Sequence, residues 1–449
     1  MTHDGDVIVC GAGVGGLAVA AALARYKLRV LVLDKHPRQL DVYKGELLQP
    51  RSLEILSSLG ALSQLRESGA VPAHLLECRT ANGGFLGALD YRALGGTFDY
   101  VLLHYHRDIR AALMNVARNE GVDVRFGARV ERIVRDPDGR VAGVAIGDEE
   151  LRAALIVAAD GRTSVMRRNA GLGADFEQYA HHLLAYQLED APVLGPAVTA
   201  FLTRHGLRAL YQMPGGRARL YVQIQPGEYS EIRRMGFSAW LDELLASTTG
   251  LDRIGVALHA ATTRPQLMGA WHGQASGLAV PGLALVGDAA HCVHPMAGQG
   301  MNAAIADSWL LAENVGQTRR ARGGLLDPTC VDAAVYEYER QRTVQLMHIV
   351  RLSHRLASFF TSTSPLTRAI GHRMLVSNRH NDRLRYVVTH NMAGLGYRRF
   401  TRRDRLHQFG LLRSSRAGEG TVPMPRPPNE RGGSDMCAAA STSRITSEK

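Results

Sequence analysis

Three stretches of this chain place an acid or a glycine turn directly after an apolar run, a pattern suited to holding phosphates and sugar hydroxyls. The first is Gly11-Ala12-Gly13-Val14-Gly15-Gly16. Glycine at 11 permits a tight turn, glycine at 13 lets backbone approach a pyrophosphate, and glycine at 16 lets a helix pack on a strand. A helix starting there offers unpaired N–H groups and partial positive charge to phosphates. Asp34, followed by Lys35, ends the next apolar run and is placed to accept hydrogen bonds from a ribose hydroxyl. The second stretch runs from Leu155 to Asp160-Gly161, then into a basic helix start at Arg167-Arg168. The third reads Leu283-Ala284-Leu285-Val286-Gly287-Asp288 and continues through Pro295, Gly298, Gly300, Met301 and Asn302. Its acid can bind a sugar-like hydroxyl. Its glycine loop and helix start can approach a flat, electron-rich ring and stabilise negative charge on it. His291 and His294 lie three residues apart with no third ligand nearby, so a packing or hydrogen-bonding role is expected rather than a metal.

These residues need particular elements to position them. Asp6–Cys10, the alanine-rich run 17–24 and Leu28–Asp34 read as strand, helix and strand, one βαβ unit. Helices are expected at 51–69, 107–121 and 237–247, from near Gly300, and over much of 329–360 and 366–390. Strands are expected within 75–91 around Asn82-Gly83-Gly84, in a meander from Val122 to Ala158, and at 181–189. A hairpin is expected at 207–225, split by Pro214-Gly215-Gly216. From about 417 the chain turns to Gly, Pro, Ser, Thr and Arg, a composition expected to be disordered.

Composition limits the remaining choices. The 449 residues allow two or three structural units, and 45% hydrophobic content supplies a core. No run approaches the roughly 18 apolar residues of a membrane-spanning helix. The start lacks the basic and small-residue signature of a secretory signal, and five scattered cysteines form no CxxC pair. Both point to the cytoplasm. The net charge of +11 is almost all arginine, with lysine only at 27, 35, 44 and 449. With 6% aromatic residues and no nucleic-acid motif, the charge reads as solvated surface rather than a nucleic-acid footprint. Contact of the basic C-terminal region with a membrane surface is the lesser reading.

Taken together, the three stretches resemble the class A FAD-dependent monooxygenases, the family of p-hydroxybenzoate hydroxylase and the aromatic polyketide hydroxylases, over roughly residues 5–345. The resemblance implies an α/β fold. A Rossmann-like FAD-binding domain would take 1–74, 100–178 and 270–345, with an inserted mixed or antiparallel substrate-binding sheet at 75–99 and 179–269. A C-terminal helical region at 346–416 and the disordered tail at 417–449 would follow. It implies non-covalent FAD, held at its ADP half by Gly11, Gly13, Gly15, Gly16, Asp34 and Lys35, with Arg107 near the pyrophosphate. Asp160 and Gly161 would contact FAD and NADPH, and Asp288 the ribityl chain. Pro295, Gly298, Gly300, Met301 and Asn302 would lie beside the isoalloxazine, with the segment Gly45–Arg51 lining it. Lys44 departs from the arginine that relatives often carry and cannot make the same forked contact.

The activity implied is hydroxylation of an aromatic or polyketide-like small molecule by NAD(P)H and O2, through a flavin C4a-hydroperoxide, in a monomer or dimer. With one GxGxxG there is no second nucleotide domain, so NAD(P)H would bind transiently. The sheet from 75–91 and 181–265 would form the far wall of the substrate cavity. His104, Tyr211 and Tyr221 are conceivable bases for a phenol, and a packing role is the commoner one for each. Epoxidation or quinol hydroxylation of a lipid-like substrate, or reduction of a polyprenyl chain, would use the same motifs. Halogenation is disfavoured, because Trp240, Trp271 and Trp309 stand isolated.

Overall fold

The computed structural model describes residues 4–38, 42–324 and 326–412, so the tail expected at 417–449 lies outside the described residues. Its central sheet has six strands in the order Ala279–Val280, Leu283–Leu285, Leu155–Ala158, Val7–Cys10, Val30–Asp34 and Asp123–Phe126. All neighbours are parallel except the first pair. The strands Val7–Cys10 and Leu155–Ala158 are buried along their whole length, as continuous apolar runs must be when helices cover both faces. The helix Val14–Ala24 is buried on every side except at Gly15, because it lies between Gly300–Ala321 and His106–Asn119. Its alanines and glycines allow those close approaches. The strands leading to Asp34, Asp160 and Asp288 run parallel, with Val7–Cys10 between the first two, so their C-terminal ends open at one edge, where ligands of such sheets bind.

A second, eight-stranded sheet runs His291–Cys292, Gln266–Gln274, Glu177–Leu188, Arg217–Ile224, Gly206–Met213, Ala197–Thr203, Leu75–Thr80 and Phe85–Asp90. It is antiparallel apart from the parallel pairing of Ala197–Thr203 with Leu75–Thr80. The expected hairpin is present, and Gly215 and Gly216 both take positive φ in its turn (+76° and +72°). Side chains alternate across this sheet. Leu184, Tyr186, Leu220 and Val222 pack into an outer core, whereas Leu183 and Tyr221 face the cavity.

Three local expectations are corrected. The segment 181–265 is not sheet throughout: besides the expected helix at 237–247, found as Phe237–Ala246, Glu228–Met235 and Gly255–His259 are helices, and the three supply Ile232, Leu241 and Leu258 to the outer core. The helix expected at 51–69 divides at Gly60, whose φ of +84° ends the first turn run. The helix expected at 366–390 divides into Pro365–Arg379 and Asp382–Met392, because the Asn381 side chain accepts the Leu384 N–H and starts a new helix. The run at 329–360 is one helix, Pro328–Phe360, capped by Asp327. Among the described residues no helix is long and apolar enough to cross a membrane.

Candidate functional site

A cavity of about 1160 Å³ begins at the edge where the acid-ending strands open. Gly13, Val14, Gly15, Gly16, Gly161 and Arg162 line its inner end. Lys44, Gly45, Glu46, His106, Asp288, Pro295, Gly298, Gly300 and Met301 line its middle. The inner face of the eight-stranded sheet and the C-terminal helices line the rest. Gly11, Asp34, Lys35, Arg107, Asp160 and Asn302 are not on its wall.

The glycine turn shows why each position is glycine. Gly11 has a φ of +113°, and a Cβ on it would sit 2.4 Å from the Ala159 carbonyl oxygen. A Cβ on Gly16 would sit 1.8 Å from the Gly11 carbonyl oxygen. Gly13 differs: nothing lies within 4 Å of where its Cβ would be. It is also the N-cap of Val14–Ala24 and contributes no side-chain cap, so the first N–H groups of that helix have no side-chain partner there. The next peptide back is held from both sides. Asp34 Oδ2 accepts the Ala12 N–H at 2.7 Å, and Arg110 Nη2 and Nε donate to the Ala12 carbonyl at 2.7 and 3.1 Å. Asp34 Oδ1 accepts the His36 N–H at 2.8 Å. Asp34 therefore braces the turn from beneath, and Lys35 beyond it is exposed.

Asp160 also serves backbone. It accepts from the Ser164 hydroxyl and from the N–H groups of Val165 and Met166 at 2.7 and 3.2 Å, which caps the helix Val165–Asn169. This leaves Gly161 and Arg162 to reach the cavity, where the Arg162 guanidinium lies 3.8 Å from the Trp271 ring centroid. Arg107 stacks on Tyr105 at 4.7 Å. His106 beside it faces the cavity. Burial lowers the His106 pKa to about 3, and its buried Nδ1 has no partner among the described residues.

The third stretch is fixed by a buried ionic triad. Asp307 Oδ2 accepts the Gly287 N–H at 2.9 Å and pairs with His291 Nε2 at 2.7 Å; Asp307 Oδ1 accepts from Arg342 Nε at 2.6 Å. Burial alone would raise the Asp307 pKa, yet the charges of His291 and Arg342 and the hydrogen bonds outweigh it and hold the value at about 2. Asp288 itself is half exposed to the cavity, 4.0 Å from Lys44 Nζ. Asn302 stitches two walls together. Its Nδ2 donates to the Leu47 and Gly298 carbonyls at 2.8 and 2.6 Å, and its Oδ1 accepts the Gln49 N–H at 2.8 Å. His294 has the local role expected of it: Nδ1 accepts the Met296 N–H at 3.1 Å, which puts its proton on Nε2, 2.8 Å from His181 Nε2. Burial first lowers both pKa values, to about 3 for His294, with His181 and His272 adding to it, and to about 4 for His181, with His182 adding to it.

A buried ion pair joins the loop at 43–48 to the sheet. Arg219 Nε and Nη2 donate to Glu46 at 2.9 and 2.6 Å. Tyr211 donates to Glu46 at 3.0 Å, and the Tyr221 hydroxyl is 3.2 Å from Glu46 and 2.7 Å from the Tyr43 carbonyl. Burial, reinforced by nearby negative charge, pushes both phenols well above their ordinary pKa. His104 lies off the cavity wall, 2.9 Å from the Ser68 hydroxyl. Arg110, His106 and Glu46 are thus site residues whose roles the sequence did not disclose. Arg110 lies one helical turn beyond Arg107, which was the only available signal.

These residues fit a dinucleotide cofactor. The open direction above Gly13, the uncapped helix start and the unpartnered His106 nitrogen all leave room or donors for one. The family model described as "FAD binding domain" matches residues 4–350. Aklavinone 12-hydroxylase RdmE of Streptomyces purpurascens is 27% identical over 390 residues, covering 77% of this chain and 67% of that protein. Ubiquinone hydroxylase UbiL of Rhodospirillum rubrum is 30% identical over 370 residues, covering 80% and 82%. Among solved structures, PqsL of Pseudomonas aeruginosa in complex with 2-aminobenzoylacetate is 25% identical with a TM-score of 0.72, covering 82% of this chain and 99% of that one. The fold of p-nitrophenol 4-monooxygenase PnpA of Pseudomonas putida matches with a TM-score of 0.76 at 21% identity, covering 89% of this chain and 100% of that one. With its family model spanning most of the chain and its relatives hydroxylases, this chain belongs to the FAD binding domain family and is an enzyme of the FAD-dependent monooxygenase (hydroxylase) class.

Proposed function

We propose that this enzyme uses NAD(P)H and O2 to hydroxylate an aromatic or polyketide-like molecule held against the inner face of the eight-stranded sheet. The observation that carries the reading is the continuity of one cavity, from the glycine turn past the loop at 295–301 to an apolar sheet face. FAD, when bound, supplies the redox chemistry and the activation of oxygen. The N–H groups at the start of Val14–Ala24 would bind its pyrophosphate, and Asp288 its ribityl hydroxyls. Gly298, Gly300 and Met301 would pass beside its ring, with Pro295 and Lys44 completing the wall. The Asn302 stitch and the Asp307 triad keep those walls in register.

The substrate end is walled by Leu183, Leu207, Leu267 and Met268 among others, which exclude water and bind an apolar body. The polar groups of its sheet wall around Glu46 are engaged already: the Tyr211 and Tyr221 hydroxyls face Glu46, and Glu46 is neutralised by Arg219. That wall orients a ring rather than removing a proton from it. The compounds named for RdmE and UbiL, aklavinone and ubiquinone, support the reading of a ring-bearing substrate.

The test is NAD(P)H oxidation by the FAD-loaded protein, in air and under argon, over phenols, polyketide aromatics and prenylated quinols. Stimulated turnover only in air, with a product one oxygen heavier, is the expected result. Turnover under argon with a hydrogenated product would overturn the reading in favour of a reductase.

A further inference from the structure

The outer part of the cavity has a charge pattern that the hydroxylase reading does not require. Four C-terminal helices each send one arginine to its lining: Arg355 from Pro328–Phe360, Arg379 from Pro365–Arg379, Arg385 from Asp382–Met392, and Arg405 from Arg402–Gln408. Two of the four are already engaged. Arg379 donates to the Phe85 carbonyl at 3.2 Å, and Arg385 pairs with Asp382. The side chains of Arg355 and Arg405 have no ion pair or hydrogen bond among the described residues.

The acids that line the cavity do not offset them. Glu46 is bound by Arg219, Glu77 by Arg79 at 3.0 Å, and Asp288 lies by Lys44 at the flavin end. Among the described residues, no acidic side chain of the C-terminal helices is on the wall. Apolar walls concentrate the field of such cations toward the space they enclose. Guanidinium groups also bind carboxylates and phosphates through paired hydrogen bonds.

We propose that Arg355 and Arg405, which line the cavity from two of the C-terminal helices, select a substrate that carries an anionic group remote from the carbon being oxidised. The substrate class is then an amphiphile: an apolar ring system against the sheet, with a carboxylate or an equivalent acid at the C-terminal helices. The inference rests on the proposed hydroxylase reading and adds a charge to its substrate. The phosphates of NAD(P)H present the same chemistry from another source, so the experiment separates the two.

The FAD-loaded full chain is titrated with a hydroxybiphenyl carboxylic acid and with the matching carboxamide, alike in shape and different in charge. Binding is read from the change in flavin absorbance. The same titrations are run on the Arg355→Gln, Arg405→Gln double variant. Both sites are exposed and lie outside the packed core, so the variant is expected to fold. The wild type should bind the acid about tenfold more tightly than the amide, the scale of a hydrogen bond to a charged group. The variant should lose that preference while binding the amide as before, and high salt should weaken only the acid. Equal affinities in the wild type, failure of both probes to bind, or a preference that survives in the variant would overturn the proposal. A raised KM for NADPH in the variant, with the preference intact, would assign the arginines to the pyridine nucleotide instead. A chain that cannot be loaded with FAD would sink the hydroxylase reading itself, which keeps the two failures apart.

Discussion

Arg219 and Glu46 form a two-pronged ion pair in which neither side chain has more than 1% of its surface exposed. Burial opposes the charge on Arg219, and Glu46 more than restores it, so the guanidinium pKa stands above its ordinary value. Removing one partner leaves the other charged and buried. Arg219→Met should cost about 3–5 kcal/mol of stability. The double change Arg219→Met, Glu46→Gln should recover much of it. Urea unfolding of the three proteins checks this; equal losses in single and double variants would mean the pair is not the unit that matters.

Gly13 and Gly16 should fail in different ways. Alanine at 16 would collide with the Gly11 carbonyl, so Gly16→Ala should lower the melting temperature of the protein even without cofactor. Alanine at 13 meets no protein atom within 4 Å, so Gly13→Ala should fold normally and lose FAD affinity by about tenfold or more, the scale set by approach to a pyrophosphate. Melting curves and FAD titration separate the two effects. Normal FAD binding by Gly13→Ala would place the pyrophosphate elsewhere.

The Asp307 triad makes an acid-side contribution to stability. Its carboxyl titrates at about 2 when folded, against about 3.9 in an unfolded chain. A lowered folded pKa stabilises above the unfolded value and loses that effect as pH falls through the folded one. The term is on the order of 2 kcal/mol near neutrality and should vanish between about pH 4 and pH 2. The stability gap between wild type and Asp307→Asn, measured by denaturant unfolding, should therefore narrow over that range. A gap independent of pH would show that the charge is not what holds Gly287.

His181 and His294 act over a different range. Both are held neutral, with folded pKa values of about 4 and about 3. Unfolded histidines take protons below about 6.5, so between there and pH 4 the unfolded chain binds more protons and stability falls as pH falls. The slope approaches about 1.4 kcal/mol per pH unit for each histidine. Replacing His181 with Asn should flatten the dependence of melting temperature on pH in that window. An unchanged slope would remove the pair from the account.

Local signals in the sequence placed much of this architecture, and pairings across long separations did not show. The glycine turn, the strands ending in Asp34, Asp160 and Asp288, and the helix from Gly300 are all written in contiguous residues, so their periodicity and punctuation were legible. The duties of the acids were less so. Motif position suggested ligand contacts for Asp34 and Asp160, and it did not disclose that their carboxylates also accept backbone N–H groups within the protein. A carboxylate that caps its own turn looks the same in sequence as one that faces a ligand. Glu46 and Arg219 are 173 residues apart, and neither stands in a pattern that names the other. The helices at 228–259 were partly hidden for a related reason. Their apolar residues cover the back of a sheet, and that surface exists only once the strands on either side have paired.

The order of strands in the central sheet also sets a timetable. Val7–Cys10 lies between Val30–Asp34 and Leu155–Ala158, and the latter needs Leu283–Leu285 on its far edge. The wall at Gly13 is therefore translated almost 300 residues before the wall at Gly300 that faces the same space. As the chain leaves the ribosome, the glycine turn and the first strands can form early, but the edge of Leu155–Ala158 stays bare until the third motif arrives. A nascent chain halted before 283 would expose an unpaired strand and half a ligand site. Cofactor capture must then be among the last events of folding, and early termination products would be substrates for chaperones rather than weakly active enzymes.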